Sequence, residues 1–251
     1  MPIRAIMFDL GNTLMHAVAP DMWPDVIRHG NEALMDYLCS RDILTDCDNF
    51  TLEFNQRLHQ YYAERDVQMI ETSTFLVLKE LLEEKGYNNV SNETIRESLD
   101  AHYAVTQKNW QLEKDTISCL EALQQSHYKM GLLSNAGDDR DVQQLVEKFK
   151  IAPYFDIVLT SAACGYRKPH PRIFEMALEY FNVQPEEVAM VGDTLDADIL
   201  GANQLGIYSV WITRRVEVPP DDEFKVQPNA TISTLGEIPG LLREIELDLR
   251  S

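Results

Sequence analysis

Asp9 closes a short apolar run, Ile3-Arg4-Ala5-Ile6-Met7-Phe8, and the turn-forming residues Gly11-Asn12-Thr13 follow almost at once. Three more apolar runs lead into polar groups further along the chain. Leu132-Leu133 precedes Ser134-Asn135, Ile157-Val158-Leu159 comes before Arg167-Lys168-Pro169, and Val188-Ala189-Met190-Val191 precedes Gly192-Asp193, with Asp196 and Asp198 just beyond. A carboxylate can attack phosphorus, a hydroxyl and an amide can hold phosphate oxygens, an ammonium can balance charge, and further carboxylates can hold a hard metal ion. Phosphoryl transfer needs these parts, because positioning and charge neutralisation do most of its work.

Such groups act together only if the chain brings the ends of those runs to one place. After residue 115 helical and strand-like segments alternate, with strands at 130–133, 157–159, 188–191 and 208–212 and helices near 116–126 and 139–149. That alternation predicts an α/β fold, a doubly wound parallel sheet of Rossmann-like form, in which ligands bind at the carboxyl ends of the strands. The first strand must join the same sheet. The stretch between, with Val26, Leu34 and Leu38, then Phe54 and Leu58, then Phe75, Leu78, Leu81 and Leu82, has helical periodicity and predicts about four helices, the fourth opening at the cap Ser91. The chain therefore divides into a core of residues 1–16 and 112–251 and an inserted α-helical domain of residues 17–111. Residues 216–228, with three prolines and several acids, predict a surface loop before a last strand and helix.

Bulk properties narrow the partners. The 41 acidic residues against 22 basic ones give a formal charge of -19, which repels nucleic acid and anionic membranes. A small anionic substrate remains admissible, because a bound divalent cation reverses the field locally. Cys39, Cys47, Cys119 and Cys164 form no C-x-x-C pair, so they are expected to be reduced packing residues in a cytoplasmic protein. The first residues lack the features of an export signal, and no apolar run has spanning length.

Taken in order, the four polar segments resemble the motifs of the haloacid dehalogenase superfamily, over residues 3–15 and about 116–240. Asp9-Leu10-Gly11-Asn12-Thr13 stands where that family has D-x-D-x-T, and Leu132-Leu133-Ser134-Asn135 resembles its second motif. Arg167-Lys168-Pro169 resembles the third, and the run from Gly192-Asp193 to Asp198 the fourth. The resemblance implies a magnesium-dependent phosphatase acting on a small phosphorylated metabolite, with the insertion as a helical cap of the C1 type. It makes Asp9 the nucleophile and a Mg2+ ligand. Ser134 and the backbone of Asn135 become phosphate-binding groups, Lys168 the charge-balancing cation, and Asp193 and the carbonyl of Gly11 the other protein ligands of the metal. Asp198 would orient Lys168 or metal-bound water.

Gly11 departs from the pattern, since family phosphatases carry there a second aspartate that protonates the leaving oxygen and later activates water. Loss of such a group costs about 10² to 10⁴ in rate. Either His16 or a cap residue substitutes, or the leaving group needs little protonation, or catalysis is weak. Two other functions stay open: a dehalogenase, against which Asp193 argues because halide displacement needs no metal carboxylate, and a non-catalytic phosphate-binding protein. Singly, each motif also has a plain structural reading as a turn, a helix cap or a solvated charge. Asp196 reads as a surface residue and His170 as a helix cap. Trp23, Trp110, Tyr61 and Tyr62 either line the cap's inner face or fill its core. Arg57, Arg65, Gln68 and Glu71 either select the substrate or are solvated. The oligomeric state is left open.

Overall fold

The computed structural model describes residues 2–217 and 226–248. Strand β1 (Ala5–Phe8) is buried along its whole length, and its side chains alternate between two apolar layers. Ile6 and Phe8 face Leu120, Leu123, Val142 and Leu145, whereas Ala5 and Met7 face Ile173, Phe174 and Ala177. A strand sandwiched between helices must be apolar on both faces, which is why it reads as a continuous run.

Among the described residues six strands form the sheet, in the order β5-β4-β1-β6-β7-β8, all parallel. Here β4 is Lys129–Ser134, β5 Ile157–Thr160, β6 Val188–Gly192, β7 Tyr208–Ile212 and β8 Ala230–Ile232. The connections run outward from β1 in both directions, so the β1/β4/β6 ends form the switch-point crevice where ligands bind in such sheets. One face carries α5 (Thr116–Gln125), α6 (Asp139–Lys148) and α10 (Ile238–Asp248), and the other α8 (Pro171–Phe181) and α9 (Leu200–Leu205). A one-turn helix, α7 (Ser161–Cys164), follows β5. The expected surface loop falls largely on residues 218–225, which lie outside the described residues.

Between β1 and α5 the chain leaves and re-enters through a two-stranded antiparallel ribbon, β2 (Met15–Ala17) against β3 (Trp110–Leu112). Four helices lie between these strands: α1 (Trp23–Cys39), α2 (Cys47–Gln68), α3 (Thr74–Glu84) and α4 (Asn92–Thr106). They enclose their own apolar cluster, which includes Leu34, Leu38, Phe54, Leu78 and Leu99. Asp46, Ser73 and Ser91 cap α2, α3 and α4 by accepting backbone N–H bonds, so each helix start is written in the sequence. Helices α1 and α4 pack closely at Gly30, where a Cβ would stand 2.8 Å from the His102 ring.

One expectation about cysteine needs correction. Cys39 and Cys47 are joined in a disulfide that closes the α1–α2 connection, so they are not separate packing residues. Their spacing resembles no known motif because the helix hairpin, a tertiary feature, brings them together. Cys119 is buried in the core and Cys164 is partly buried, both as free thiols. Among the described residues no helix is long and apolar enough to cross a membrane.

Candidate active site

The ends of β1, β4 and β6, with the segment that follows α7, deliver polar groups to one cavity of about 340 Å³ between the sheet and the four-helix layer. Asp9, Ser134, Lys168, Asp193 and Asp198 all line it. Asp9 leaves β1 with its N–H still bonded to the Val191 carbonyl at 2.9 Å, so the sheet ladder fixes where its carboxylate starts.

Lys168 is the centre of the arrangement. Its side chain is 1% exposed, and Nζ lies 2.6 Å from Asp9, 2.7 Å from Asp198 and 2.7 Å from the Leu133 carbonyl. Burial alone would discharge the amine, but the attraction of Asp198 and Asp9 outweighs it and raises the pKa, so the residue is a fixed cation. Asn135 holds its backbone from both sides: Nδ2 donates to the Lys168 carbonyl at 2.9 Å, and the Lys168 N–H donates to Oδ1 at 2.8 Å. The side chain of Asn135 is thus spent on positioning, leaving its backbone as the group available to a ligand. Ser134 Oγ has no hydrogen-bond partner among the described residues and lines the cavity.

Asp193 precedes, and Asp198 lies within, a π-type turn, Leu195–Ile199, that follows β6. Gly192 makes room for this: a Cβ there would stand 2.3 Å from the Asp198 carboxyl carbon. Asp198 accepts the Thr194 N–H at 3.1 Å, and burial raises its pKa against the pull of Lys168. Burial and then the Asp9 charge push Asp193 up to about 6, opposed by hydrogen bonds from Asn12 and Thr194. Trp211 Nε1 donates to the Asp193 carbonyl at 2.8 Å and holds that loop in place.

Carboxylate oxygens of Asp9, Asp193 and Asp198 all lie within 4.8 Å of one another. Asp198 is committed to Lys168 and to Thr194, whereas Asp9 and Asp193 oppose each other with like charge. Two converging hard-oxygen donors whose repulsion a cation would relieve fit a Mg2+ ion.

Other candidates lie elsewhere. His16 turns away from the cavity, with Nδ1 3.0 Å from Glu113, a buried carboxylate that also pairs with Arg214 and Arg215. The adjacent residue of β2, Met15, lines the cavity, as strand alternation requires. Asp196 is exposed, and His170 caps α8 by accepting the Arg172 N–H. Arg57 pairs with Glu84 on the surface. Glu71, buried, joins Tyr61 and Arg65 of α2 to Ser161 and Arg167 of the sheet domain. None of Arg57, Arg65, Gln68 and Glu71 lines the cavity. Trp23 and Trp110 do line it, stacked edge to face with centroids 5.1 Å apart. Trp110 covers Gly11: a Cβ on that glycine would meet the indole at 3.6 Å.

The family model for haloacid dehalogenase-like hydrolases matches residues 3–206, and the chain belongs to that family. A glyceraldehyde 3-phosphate phosphatase of Pyrococcus furiosus is 26% identical, with 97% of this chain and 93% of that protein covered. The human N-acylneuraminate-9-phosphatase is also 26% identical, over 97% and 95% of the two chains. Among solved structures, a 2-haloacid dehalogenase from Pseudomonas syringae pv. Tomato DC3000 has the same fold, with a TM-score of 0.69 at 23% identity over 96% of this chain and 99% of that one. Fold alone is thus shared by phosphatases and dehalogenases. The relatives in sequence place this hydrolase among the phosphatases of the family.

Proposed function

We propose that this chain is a magnesium-dependent phosphomonoesterase that passes the phosphoryl group of a small metabolite first to Asp9 and then to water. The observation that carries this is the placing of Lys168: a buried cation 2.6 Å from Asp9, in a cavity that Ser134, without a hydrogen-bond partner among the described residues, and Asp193 also line. Lys168 pairs with Asp9 and offers positive charge to phosphoryl oxygens, which Ser134 Oγ and the backbone of Asn135 hold in line. Asp9 attacks phosphorus, the bond to the substrate oxygen breaks, and the leaving oxygen takes the electron pair. Water then attacks phosphorus, the bond to Asp9 breaks, and both protons of the water stay with the phosphate. Asp9, Asp193 and the carbonyl of Gly11 would hold Mg2+, which when bound neutralises phosphate charge. Asp198 keeps Lys168 in place.

With glycine at 11 and indole above it, no acid there protonates the leaving oxygen. Rates should therefore follow the stability of the leaving anion, acetyl phosphate exceeding alkyl phosphates. Residues 17–111 act as the cap, and residues 1–16 and 112–251 as the catalytic core; the β2–β3 ribbon is the place where the two would hinge. A cytoplasmic setting, where small phosphorylated metabolites are at hand, belongs to the same reading.

The test is phosphate release from a panel of phosphorylated metabolites and acetyl phosphate, with Mg2+ or with chelator. Release that needs Mg2+ and disappears in Asp9→Asn supports the assignment. Release that survives Asp9→Asn, or none from any compound by a folded protein, removes it. A dehalogenase would instead release halide from 2-haloacids without metal, and Asp193 would have no part in that.

A further inference from the structure

Asp141 lines the cavity too, although the catalytic reading gives it no task. It stands in the first turn of α6, seven residues beyond Ser134 on the same connection. Its charge environment is made by Asp138 and Lys148, while Asp9, Asp193, Asp198 and Lys168 act on one another. Gln107, just beyond α4, holds Asp141, whereas Lys168 ties Asp9 and Asp198 together, so the two sets are anchored on different parts of the cavity wall.

Asp141 is short of partners. Among the described residues, one side chain donates to its carboxylate: Gln107 Nε2, at 2.9 Å, which also donates to Gln144. No lysine, arginine or histidine forms an ion pair with it, and the nearby cations are engaged elsewhere. Arg96 is 2.6 Å from Asp138, Arg140 is 2.9 Å from Asp100, and Lys148 donates to the Gln107 carbonyl at 2.6 Å. Burial accordingly raises its pKa to about 7. A carboxylate withdrawn from water without a cation is costly unless something supplies the charge.

The rest of the cavity shows what could supply it. Trp23, Trp110 and Tyr103 line the same space, and electron-rich aromatic faces attract ammonium groups, the more so where water is excluded. His102 cannot provide the cation, because burial lowers its pKa to about 4 and keeps it neutral. An aromatic wall with one unpaired carboxylate is a receptor for an organic cation.

We propose that Asp141, together with Trp23, Trp110 and Tyr103, is the specificity end of the cavity, and that the substrate is a phosphate monoester whose organic part carries an ammonium group. This rests on the phosphatase reading for the phosphate end only. Leaving-group stability then governs rate, and the ammonium governs affinity.

Affinity is measured without turnover. Asp9→Asn protein with Mg2+ is titrated calorimetrically with phosphocholine and with 3,3-dimethylbutyl phosphate, its uncharged carbon isostere. Phosphocholine is expected to bind about tenfold or more tightly, as a desolvated cation–π and charge contact implies. Adding Asp141→Asn should bring that ratio close to one, and adding Trp23→Leu should lower it as well. Equal affinities in the parent protein, or a ratio that Asp141→Asn leaves unchanged, overturn the proposal. So does the absence of binding by both compounds. The phosphatase reading stands or falls separately, on Mg2+-dependent and Asp9-dependent release in the wild type.

Discussion

Asp141 makes a prediction about stability that is independent of any ligand. Its pKa rises from 3.8 to about 7 in the folded chain, first through burial, with the Asp138 charge adding and Gln107 and Lys148 opposing. The folded state thus holds a proton between these two values that the unfolded state has released. Stability falls as pH rises through that window, and the full cost is present above pH 7. At 1.36 kcal/mol per unit the ceiling is roughly 4 kcal/mol at pH 8 and roughly half of that at pH 5.5; water in the cavity reduces both. Asp141→Asn keeps the shape and the Gln107 contact and removes the charge. It should stabilise the chain by roughly 2–4 kcal/mol at pH 8, raising Tm by about 2–4 °C for each kcal/mol in a chain of this size. Urea unfolding at pH 8 and pH 5.5 reads the difference. A gain equal at both pH values, or none at pH 8, would show that the carboxylate is not desolvated and would refute the reasoning.

Three further outcomes follow from the same geometry. Lys168→Met should abolish phosphate release and, by leaving Asp9 and Asp198 unpaired, cost about 3–5 kcal/mol by chemical denaturation in the presence of chelator; a loss below 1 kcal/mol would mean that the buried ion pairs are not formed. Mg2+ at about 100 times its Kd should stabilise the wild type by about 2.7 kcal/mol and leave Asp193→Asn at the same Mg2+ concentration with a much smaller Tm shift, which thermal scans with and without the ion would show. Replacing Cys39 and Cys47 together by serine, or reducing the protein, should cost about 2–3 kcal/mol for so short a loop, and thiol titration of the unfolded, unreduced wild type should find the thiols of Cys119 and Cys164 alone.

The strand ends were legible because each part of a parallel sheet obeys a local rule. Apolar runs alternate with helical segments, turn residues follow each run, and the fold itself brings the ends together, so Asp9, Ser134, Lys168 and Asp193 meet as their order implies. Residues that act through tertiary placement were not legible. Asn12 on Asp193, Trp211 on the same loop, and Gln107 on Asp141 are joined by contacts that no spacing in the chain announces. His16 is close to Asp9 in sequence, yet a lone histidine is more often structural, and one step along β2 turns the ring towards Glu113. Trp23 and Trp110 fit an apolar helix pattern and yet face the cavity, because periodicity marks a buried side without telling core from pocket.

Gly11 and Trp110 are best understood together. At the centre of the crevice the chain carries no side chain at 11, and the space above it is bounded by an indole that Trp23 supports from the side. A Cβ would touch that ring at ordinary contact distance, so any side chain at 11 would share its space with the indole. The aromatic wall and residue 11 therefore border the same part of the cavity. The proposed arrangement takes the wall: it forgoes proton donation to the leaving oxygen and gains a surface that, with Asp141, can hold a cation. On this proposal the glycine that withholds a proton donor from the leaving oxygen also borders the wall that selects the molecule brought to it.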